Sequence, residues 1–554
     1  MNPQLQSMIG QAVQAFQVGN HARAETILQK ILQLHPNNLP AIHILGLIKA
    51  SEAKHSEAAQ LLSKAVKLEP NDPSLRYNLA KALAASGMDI QSLPHHEKAA
   101  TLTPKNPEVW LNYAKSLANL SRHEEALEKI HIALDIQPEY LEALISKSAI
   151  LNELNHFDDS LATSDLALGV NPLAPDALSN RGGALKGLGR FHDALDAYDR
   201  AISIDGNYSQ AWFNRGVLLK DLKYFEEAIA SYDKAIDLNL NDGDSHWNRA
   251  LLQLNKGNFI EGFRGFEWRW KRANAESYRH KEIPTLQNAQ DIGGKKILVW
   301  AEQGLGDTIQ FCRYISLLEE RGVKVLFEVQ ASLVSVMANS FPSVEVVALG
   351  QKIEGIELQV PVASLPMLFE TTLSTIPKHS PYLKIPSSKK EDWKNKLLSQ
   401  NGKLNIGIAC SGNFNFDKTD GNRRPIPLEK FNQLAPLANL FLVQKDLRAL
   451  DETYVKQHPE IQYLGEAMQD FEDTGGIVEN MDLVIAIDTS LAHFSAALAK
   501  ETWVLLPSVA DWRWLENQEE TPWYSNIKLY RQQSPGDWDE VIQRVKNDLL
   551  ARQR

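Results

Sequence analysis

The sequence predicts an all-α superhelix of stacked helix pairs, followed by an α/β region made of two doubly wound domains. Three observations predict it. Proline recurs every 34 residues through the first half, short apolar runs alternate with helical stretches in the second half, and a segment rich in Pro and Ser divides those runs into two series. With 554 residues, the chain is also too long for one hydrophobic core.

The first half is a repeat array. Ten positions after the repeated prolines stands a small residue, as at Gly46 and Ala80, and Trp110 lies early in the first helix of its repeat. A 34-residue period with these features is typical of the tetratricopeptide repeat. We predict seven full repeats over 5–242 and a degenerate eighth, so that the array spans 1–276. The repeated prolines are Pro36, Pro70, Pro104, Pro138 and Pro172.

A row of asparagines marks the inner surface that such repeats form. Side-chain amides both donate and accept, so the row would hold an extended peptide by its backbone. The alternative is that these asparagines only stabilise the array. Arg181, Arg215 and Arg249 stand beside the row and would favour acidic segments. The predicted peptide-groove residues are Asn78, Asn112, Asn180, Asn214 and Asn248.

The array ends in an aromatic segment, which we interpret as a cap docked on the next domain, since aromatics at such junctions usually pack. The polar segment 277–294 contains a proline and paired glycines, so we predict a linker. The aromatic residues of the segment are Phe259, Phe263, Phe266, Trp268 and Trp270.

Two α/β domains follow the linker. Their apolar runs are KILVW, VKVLFEV, VEVVAL and IELQV, then NIGIAC, NLFLVQ, IQYL, DLVIAI, TWVLL and NIKLY. Strands that alternate with helices predict parallel sheets covered on both faces, as in Rossmann-like domains. We place the domains at 295–388 and 389–554. Ligands bind at the carboxyl ends of such strands, so two facing domains would form a cleft.

The loop after the first strand, in AEQGLGDTIQF, carries a carboxylate. Gly304 and Gly306 fit the first two positions of the dinucleotide motif G-x-G-x-x-G, but Ile309 takes the third. Glu328 could serve as the ribose-binding acid of that motif, yet Asp307 would repel a diphosphate at this helix start. Asp307 is instead either a helix cap or a base that accepts a proton from a hydroxyl.

Two loops of the second domain favour phosphate binding. One opens a helix with two hydroxyls, and the free N–H groups of a helix start bind anions. The other ends in arginines, whose planar forks match phosphate oxygens. The first loop supplies Asp488, Thr489 and Ser490, with His493 one turn on, and the second supplies Ser411, Gly412, Asn413, Arg423 and Arg424.

The segments AEQGLGDTIQFCRY, DTSLAH and LLPSVADWRWL resemble bacterial tetratricopeptide proteins whose second half is a heptosyltransferase-like (family 9) glycosyltransferase of GT-B fold. The resemblance covers essentially the whole chain. It implies that Asp307, after Gly306, is the catalytic base of protein glycosylation or a related transfer. It also implies a donor-diphosphate site at the D-T-x-L-x-H motif, which Asp488, Thr489, Leu491 and His493 match. The further implied sites are a phosphate contact at Arg424, ribose contacts at Gln444 and Lys445, and sugar contacts at Asp511 and Trp512.

The implied reaction is a metal-independent, inverting transfer from a nucleotide sugar, with no cofactor and no D-x-D metal pair in the second half. The repeats would recruit a protein or peptide acceptor. The main alternative is a non-catalytic, protein-binding scaffold with a vestigial nucleotide-sugar domain. An NAD-dependent enzyme is a third.

Composition restricts the partners and the compartment. The net charge of −11 without a basic stripe argues against nucleic acid and anionic membranes. Only two cysteines, Cys312 and Cys410, are present, so we expect no disulfide framework and a reducing cytoplasm. We expect neither a signal peptide nor a membrane span.

Overall fold

The computed structural model describes residues 3–397, 402–412 and 424–552. The chain divides into two compact units, Met1–Leu219 and Lys220–Arg554. Within the described residues, no helix combines the length and the apolar composition that crossing a bilayer requires. The helices and strands below are numbered in chain order.

The first unit is a stack of helix pairs with the 34-residue period. Polar caps followed by proline start several first helices: Asn38, Asp72 and Asn106 each accept from a backbone N–H of the first turn. The helices are α1 (Pro3–Gln17), α2 (His21–Leu34), α3 (Leu39–Ser51), α4 (His55–Leu68), α5 (Pro73–Ala85), α6 (Asp89–Leu102), α7 (Pro107–Asn119), α8 (His123–Ile136), α9 (Leu141–Glu153), α10 (Phe157–Val170), α11 (Pro175–Gly187), α12 (Phe191–Ile204) and α13 (Ser209–Asp221).

The recurring small residues sit where paired helices touch. A Cβ on Gly46 would lie 2.9 Å from Cγ of Leu62, and one on Gly182 would lie 2.6 Å from Cε1 of Tyr198. Both distances are too short for a real Cβ contact. The predicted role of small residues, close packing of two helices, is therefore confirmed at these positions.

The second unit begins with three helices and continues with two sheets and their covering helices. All ten predicted apolar runs form strands. The helices are α14 (Phe225–Leu238), α15 (Gly243–Asn255), α16 (Phe259–Phe266), α17 (Leu305–Phe311), α18 (Ile315–Glu320), α19 (Val334–Ser340), α20 (Leu365–Leu368), α21 (Ser387–Lys396), α22 (Ala449–Gln457), α23 (Phe471–Glu479), α24 (Ser490–Ala497) and α25 (Trp538–Arg552). The strands are β1 (Lys296–Trp300), β2 (Lys324–Val329), β3 (Glu345–Ala348), β4 (Leu358–Pro361), β5 (Leu404–Ala409), β6 (Ala438–Leu442), β7 (Ile461–Tyr463), β8 (Leu483–Ile487), β9 (Thr502–Leu506) and β10 (Ile527–Arg531).

Both sheets are parallel, as the alternating pattern predicts. The first has the order β3-β2-β1-β4, and the second has the order β10-β9-β8-β5-β6-β7. The second order is that of a six-stranded doubly wound sheet, in which the strand order reverses between β5 and β8 while the strands stay parallel. The loops that follow these two strands diverge to opposite faces, which leaves a crevice between them.

The predicted linker is docked rather than loose. Leu286 donates its N–H to the carbonyl of Gln359 at 2.9 Å, and Gln359 donates its N–H to the carbonyl of Pro284 at 2.9 Å. The segment thus pairs with β4, the open edge of the first sheet. A sheet edge leaves backbone groups unpaired, and this segment satisfies some of them. The polar composition of the segment indicated a linker and gave no sign of this backbone pairing.

The aromatic cap packs as predicted. Phe259, Phe263 and Phe266 are buried, and their rings meet Trp512 with centroids 5.6 to 6.3 Å apart. Phe259 also stacks on Trp523 at 5.6 Å. The cap is therefore part of the hydrophobic core of the second unit.

A buried ion pair joins the cap to the first sheet. Arg269 donates from Nε and Nη2 to the two carboxylate oxygens of Glu302, both at 2.8 Å, and Nη2 also donates to Ser364 Oγ at 2.7 Å. The side chains of Arg269 and Glu302 are 3% and 1% exposed. Such a bidentate pair fixes direction as well as distance. It holds the loop between β1 and α17, the helix that carries Asp307.

We expect Arg269→Met to destabilise the second unit by about 3–5 kcal/mol, because it leaves Glu302 buried without its partner. Chemical unfolding followed by tryptophan fluorescence measures this, since only Trp110 and Trp212 precede Lys220. The control is Arg264→Met, on the same cap but 60% exposed, where we expect less than about 0.5 kcal/mol. Equal effects of the two substitutions would contradict this role of the ion pair.

Candidate functional site

A cleft of about 300 Å³ lies at the carboxyl edge of the second sheet. The loops after β5, β6, β7 and β8 supply most of its lining, and Leu305 and Ser332 of the first α/β domain supply the rest. The cleft therefore opens at the point where the strand order reverses. Six of the predicted site residues line it: Ser411, Gly412, Gln444, Lys445, Thr489 and Ser490.

The start of α24 faces this cleft. Thr489 caps the helix through its backbone, and its hydroxyl donates to the carbonyl of Ile487 at 3.3 Å instead of accepting from the first turn. The first N–H groups of a helix have no intrahelical partner. Together with the positive end of the helix dipole, they make this edge of the cleft suited to an anion.

Asp488 and His493 lie beneath the cleft rather than on its surface. Nδ1 of His493 is 2.9 Å from the Tyr524 hydroxyl, its Nε2 is 3.8 Å from Asp488 Oδ1, and its ring stacks on Trp514. Burial, reinforced by Arg513 and then Arg313, holds the pKa of His493 well below its usual value. The imidazole is therefore neutral at pH 7.

Asp488 is a weaker acid than a free aspartate. Burial raises its pKa to about 6, the charge of Asp511 adds to this effect, and the charge of Arg424 opposes it. Arg424 also donates from Nη1 to the backbone carbonyl of Asp488 at 3.2 Å. The predicted phosphate-binding arginine thus lies beside the loop that starts α24. Asn413 and Arg423 fall outside the described residues.

Gln444 joins two of the cleft loops. Its Oε1 accepts from the N–H groups of Cys410 at 2.9 Å and Ser411 at 3.3 Å, while its Nε2 donates to Ser411 Oγ at 2.9 Å and to the Asp446 carbonyl at 3.0 Å. The amide therefore holds the ends of β5 and β6 together, which leaves it little capacity for a ribose. The next carboxylate, Asp446, lines the cleft and was missed by the sequence reasoning. An acid after the second strand of a doubly wound sheet is the signal that identifies it.

Asp307 is held at both of its carboxylate oxygens. Oδ2 accepts from the N–H of Gly304 at 2.9 Å, and Oδ1 pairs with Nη2 of Arg513. The side chain is 19% exposed. Burial raises the pKa of Asp307, and Arg513 is the strongest opposing influence. Asp307 is thus the third residue of α17 and not its N-cap, which is Gly304.

Arg513 is a second residue that the sequence reasoning missed. Besides Asp307, it contacts Asp511 Oδ1 at 2.8 Å and Gln310 Oε1 at 2.5 Å. Arg513 lies in the segment LLPSVADWRWL, but the sequence-based hypothesis assigned roles only to Asp511 and Trp512 of that segment. Its position between two aspartates in space follows from tertiary structure alone.

The loop glycines bring the two α/β domains into contact. A Cβ on Gly306 would lie 3.1 Å from Cδ2 of His493 and 3.7 Å from Cα of Ser490. A Cβ on Gly304 would lie 3.1 Å from Asp307 Oδ2. The glycines therefore permit close approach of the loop to α24 and to its own carboxylate.

Two further expectations meet structural obstacles. Trp512 is 3% exposed and packs on the phenylalanines of the cap, so it has no free ring face for a sugar. Glu328, the acid of the NAD alternative, pairs with Arg279 at 2.9 Å and accepts from the N–H of Gly350 at 3.3 Å. The burial of Trp512 argues against a sugar contact, and the pairing of buried Glu328 argues against its role as a ribose-binding acid.

The asparagine row is engaged within the protein. In four of the asparagines, Nδ2 is within hydrogen-bond distance of a group in the preceding repeat, 35 residues earlier. The contacts are Asn78 to His43 Nε2 at 3.0 Å, Asn112 to the Tyr77 hydroxyl at 3.0 Å, Asn180 to the Ile145 carbonyl at 2.9 Å, and Asn214 to Ser179 Oγ at 3.1 Å. Asn248 instead donates to the Asp244 carbonyl of its own helix at 2.9 Å. These contacts favour the stabilising alternative.

The arginines beside the row also have acidic partners within the chain. Each pairs with an aspartate sixteen residues earlier, at 2.6 to 2.7 Å. This pairing weakens the expected preference for acidic segments. The pairs are Arg181 with Asp165, Arg215 with Asp199, and Arg249 with Asp233.

The chain is similar to known proteins in part of its length. Models of the tetratricopeptide repeat match residues 152–209 and 209–242, so the chain contains these repeats. Protein FlbA of Caulobacter vibrioides is 23% identical over 319 residues, which are 53% of this chain and 52% of FlbA. The chain thus spans about half the length of that curated relative.

Solved structures with similar regions are also repeat proteins. A tetratricopeptide repeat protein from Parabacteroides merdae is 16% identical, with 45% of this chain and 98% of that chain covered and a TM-score of 0.41. Yeast Tom70 is 19% identical, with 45% and 54% covered and a TM-score of 0.37. The tetratricopeptide repeats matched at 152–209 and 209–242 suit the chain to peptide or protein partners.

We expect Asn180→Ala to destabilise the first unit by about 1–3 kcal/mol, because the partly buried Ile145 carbonyl and Ser148 hydroxyl lose their donor. Urea unfolding followed by circular dichroism measures this. Asn207→Ala, in an exposed turn, is the control and should change stability little. Unchanged stability of the Asn180 variant, together with lost peptide binding, would favour the groove interpretation instead.

Proposed function

We propose that the chain is a metal-independent glycosyltransferase of GT-B type, which binds a nucleotide sugar in the cleft and transfers the sugar to a protein acceptor recruited by the repeats. The observation that carries this proposal is the position of the cleft. It lies at the strand-order reversal of the second sheet, with α24 starting at one wall and residues of the first α/β domain at the other. Nucleotides bind at this place in doubly wound sheets.

The lining fits the parts of such a donor. The start of α24, with Thr489 and Ser490, would take the diphosphate, and Lys445 adds a positive charge on the same cleft. Asp446 would accept from ribose hydroxyls. A volume of about 300 Å³ is at the lower end for small-molecule sites.

Asp307 supplies the base in this proposal. The acceptor hydroxyl gives its proton to the carboxylate, the acceptor oxygen forms a bond to the anomeric carbon, and the bond from that carbon to the diphosphate breaks. Attack opposite the leaving group inverts the configuration at the anomeric carbon. The helix dipole, Lys445 and Arg424 offset the charge that develops on the nucleoside diphosphate. Protein side chains and backbone N–H groups thus perform the role that a metal has elsewhere.

A second candidate function is a protein-binding scaffold that keeps a nucleotide-sugar site without turnover. The ion pair between Asp307 and Arg513 favours it, because a carboxylate paired with an arginine is a weaker base than an unpaired one. The repeats supply protein binding under either proposal. Sugar transfer that depends on Asp307 would support the transferase and contradict the scaffold.

A negative charge introduced at the start of α24 tests whether the donor diphosphate binds there. We expect Ser490→Asp to abolish the calorimetric signal of a nucleoside diphosphate, since a carboxylate at the start of α24 repels the phosphates. The substitution should not unfold the protein, because an acidic residue in the first turn stabilises a helix. The control is Ser387→Asp, at the exposed first position of α21 and outside the cleft lining. Undiminished affinity of the Ser490 variant would place the anion elsewhere.

The base can be tested by turnover. We expect Asp307→Asn to lower the rate of sugar transfer or slow donor hydrolysis by about 10²–10⁴-fold, the usual contribution of a general base. Nucleoside diphosphate affinity should persist, because the side chain is absent from the cleft lining. Coupled detection of the released nucleotide, over a panel of nucleotide sugars, measures the rate. A wild-type rate in this variant would eliminate Asp307 as the base, and turnover by neither protein would favour the scaffold.

A further inference from the structure

The ion pair of Asp307 connects the two α/β domains. Asp307 belongs to α17, which follows β1 of the first sheet, while Arg513 follows β9 of the second. The two residues are 206 positions apart, and their side chains are 19% and 11% exposed. The proposed base therefore has its charge partner on the domain that would hold the donor.

We propose that Arg513 is a positioning residue that orients the carboxylate of Asp307 where the two α/β domains meet. This inference rests on the proposed function, because it assigns a role to Arg513 in the same reaction. Arg513 does not contact the reacting atoms. It acts through Asp307.

The orientation follows from the way both residues are held. Gly304 holds one oxygen of Asp307 and Arg513 holds the other. Arg513 is itself fixed by Asp511 at 2.8 Å and by Gln310 at 2.5 Å. A carboxylate has about four lone-pair sites, so two bonds leave it able to accept from an acceptor hydroxyl. The pair therefore directs the base without blocking it.

The charge of Asp307 depends on groups from several loops. Burial and Asp511 raise its pKa, whereas Arg513 and the Gly304 N–H lower it. Glu302, in the loop before α17, interacts with it electrostatically, and His493, which lies against Gly306, is neutral. Asp488 is a further acidic neighbour of Arg513. Arg513 is the one arginine or lysine that these contacts place directly on the carboxylate.

Opposite charge changes test this inference through the pH dependence of the rate. Arg513→Gln should lower turnover at pH 7 at least tenfold and move the acid limb of the pH–rate profile up by about one to three pH units, since an adjacent opposite charge shifts a carboxyl by that much. Asp511→Asn should move the same limb down, because it removes a like charge. A purely structural role would lower the rate without moving the limb, and that result would overturn the inference.

A stability measurement tests the pair without any activity. A double-mutant cycle compares the wild type with Asp307→Asn, Arg513→Gln and the double variant. Their melting temperatures give the coupling between the two side chains. We expect the double variant to melt higher than additive effects predict at pH 7.5. The coupling should vanish as the pH falls through the pKa of Asp307, because the protonated carboxyl no longer attracts the arginine.

The two measurements separate the possible failures. If every nucleotide sugar fails but the cycle shows pH-dependent coupling, the proposed function is wrong and the interdomain pair stands. If turnover depends on Asp307 but the cycle shows no coupling, the proposed function stands and Arg513 does not position the base. Coupling together with opposite shifts of the acid limb supports both.

Discussion

Three buried arginines tie the second unit together, and each is bound by groups from different parts of the chain. Arg269 joins the aromatic cap to the loop after β1, and Arg513 joins the loop after β9 to α17. Arg313 donates to the carbonyl of Trp523 at 2.7 Å and to the hydroxyl of Tyr382 at 3.0 Å. A buried charge is costly unless it is paired and hydrogen-bonded. The cap, the first sheet and the second sheet therefore cannot shift apart without exposing or stranding these charges.

This constraint determines the electrostatics around the cleft. Because the arginines are committed to acidic and carbonyl partners, the anion-binding capacity at the cleft comes from the start of α24, with Lys445 on the wall and Arg424 beside the loop. The neutral His493 beneath the helix adds no charge. The polarity that the sequence suggested, anion donors on one domain and a carboxylate on the other, is retained, but the carboxylate is paired.

Local pattern was enough to predict the repeats, the ten strands and the loops at their carboxyl ends. These features depend on spacing and on strand order, which a single sequence displays. The partner of Asp307 could not be predicted, because a contact over 206 residues leaves no local pattern. The same holds for the burial of Trp512 by the cap and for the inter-repeat bonds of Asn180. The docking of 277–294 was hidden because a segment that pairs through its backbone needs no apolar pattern.

Stability alone is a weak explanation for the ion pair of Asp307. Replacing a buried ion pair by apolar residues of similar volume is often neutral or stabilising, so folding alone gives weak reason for a carboxylate and a guanidinium at this position. A helix cap does not require Arg513 either, since the Gly304 N–H already supplies the capping bond. What the pair does provide is a fixed carboxylate at the contact between the two α/β domains, where Arg513 opposes the rise in pKa that burial causes. A fixed carboxylate suits the proton acceptor proposed above, and the same pairing makes it a weaker base than an unpaired carboxylate.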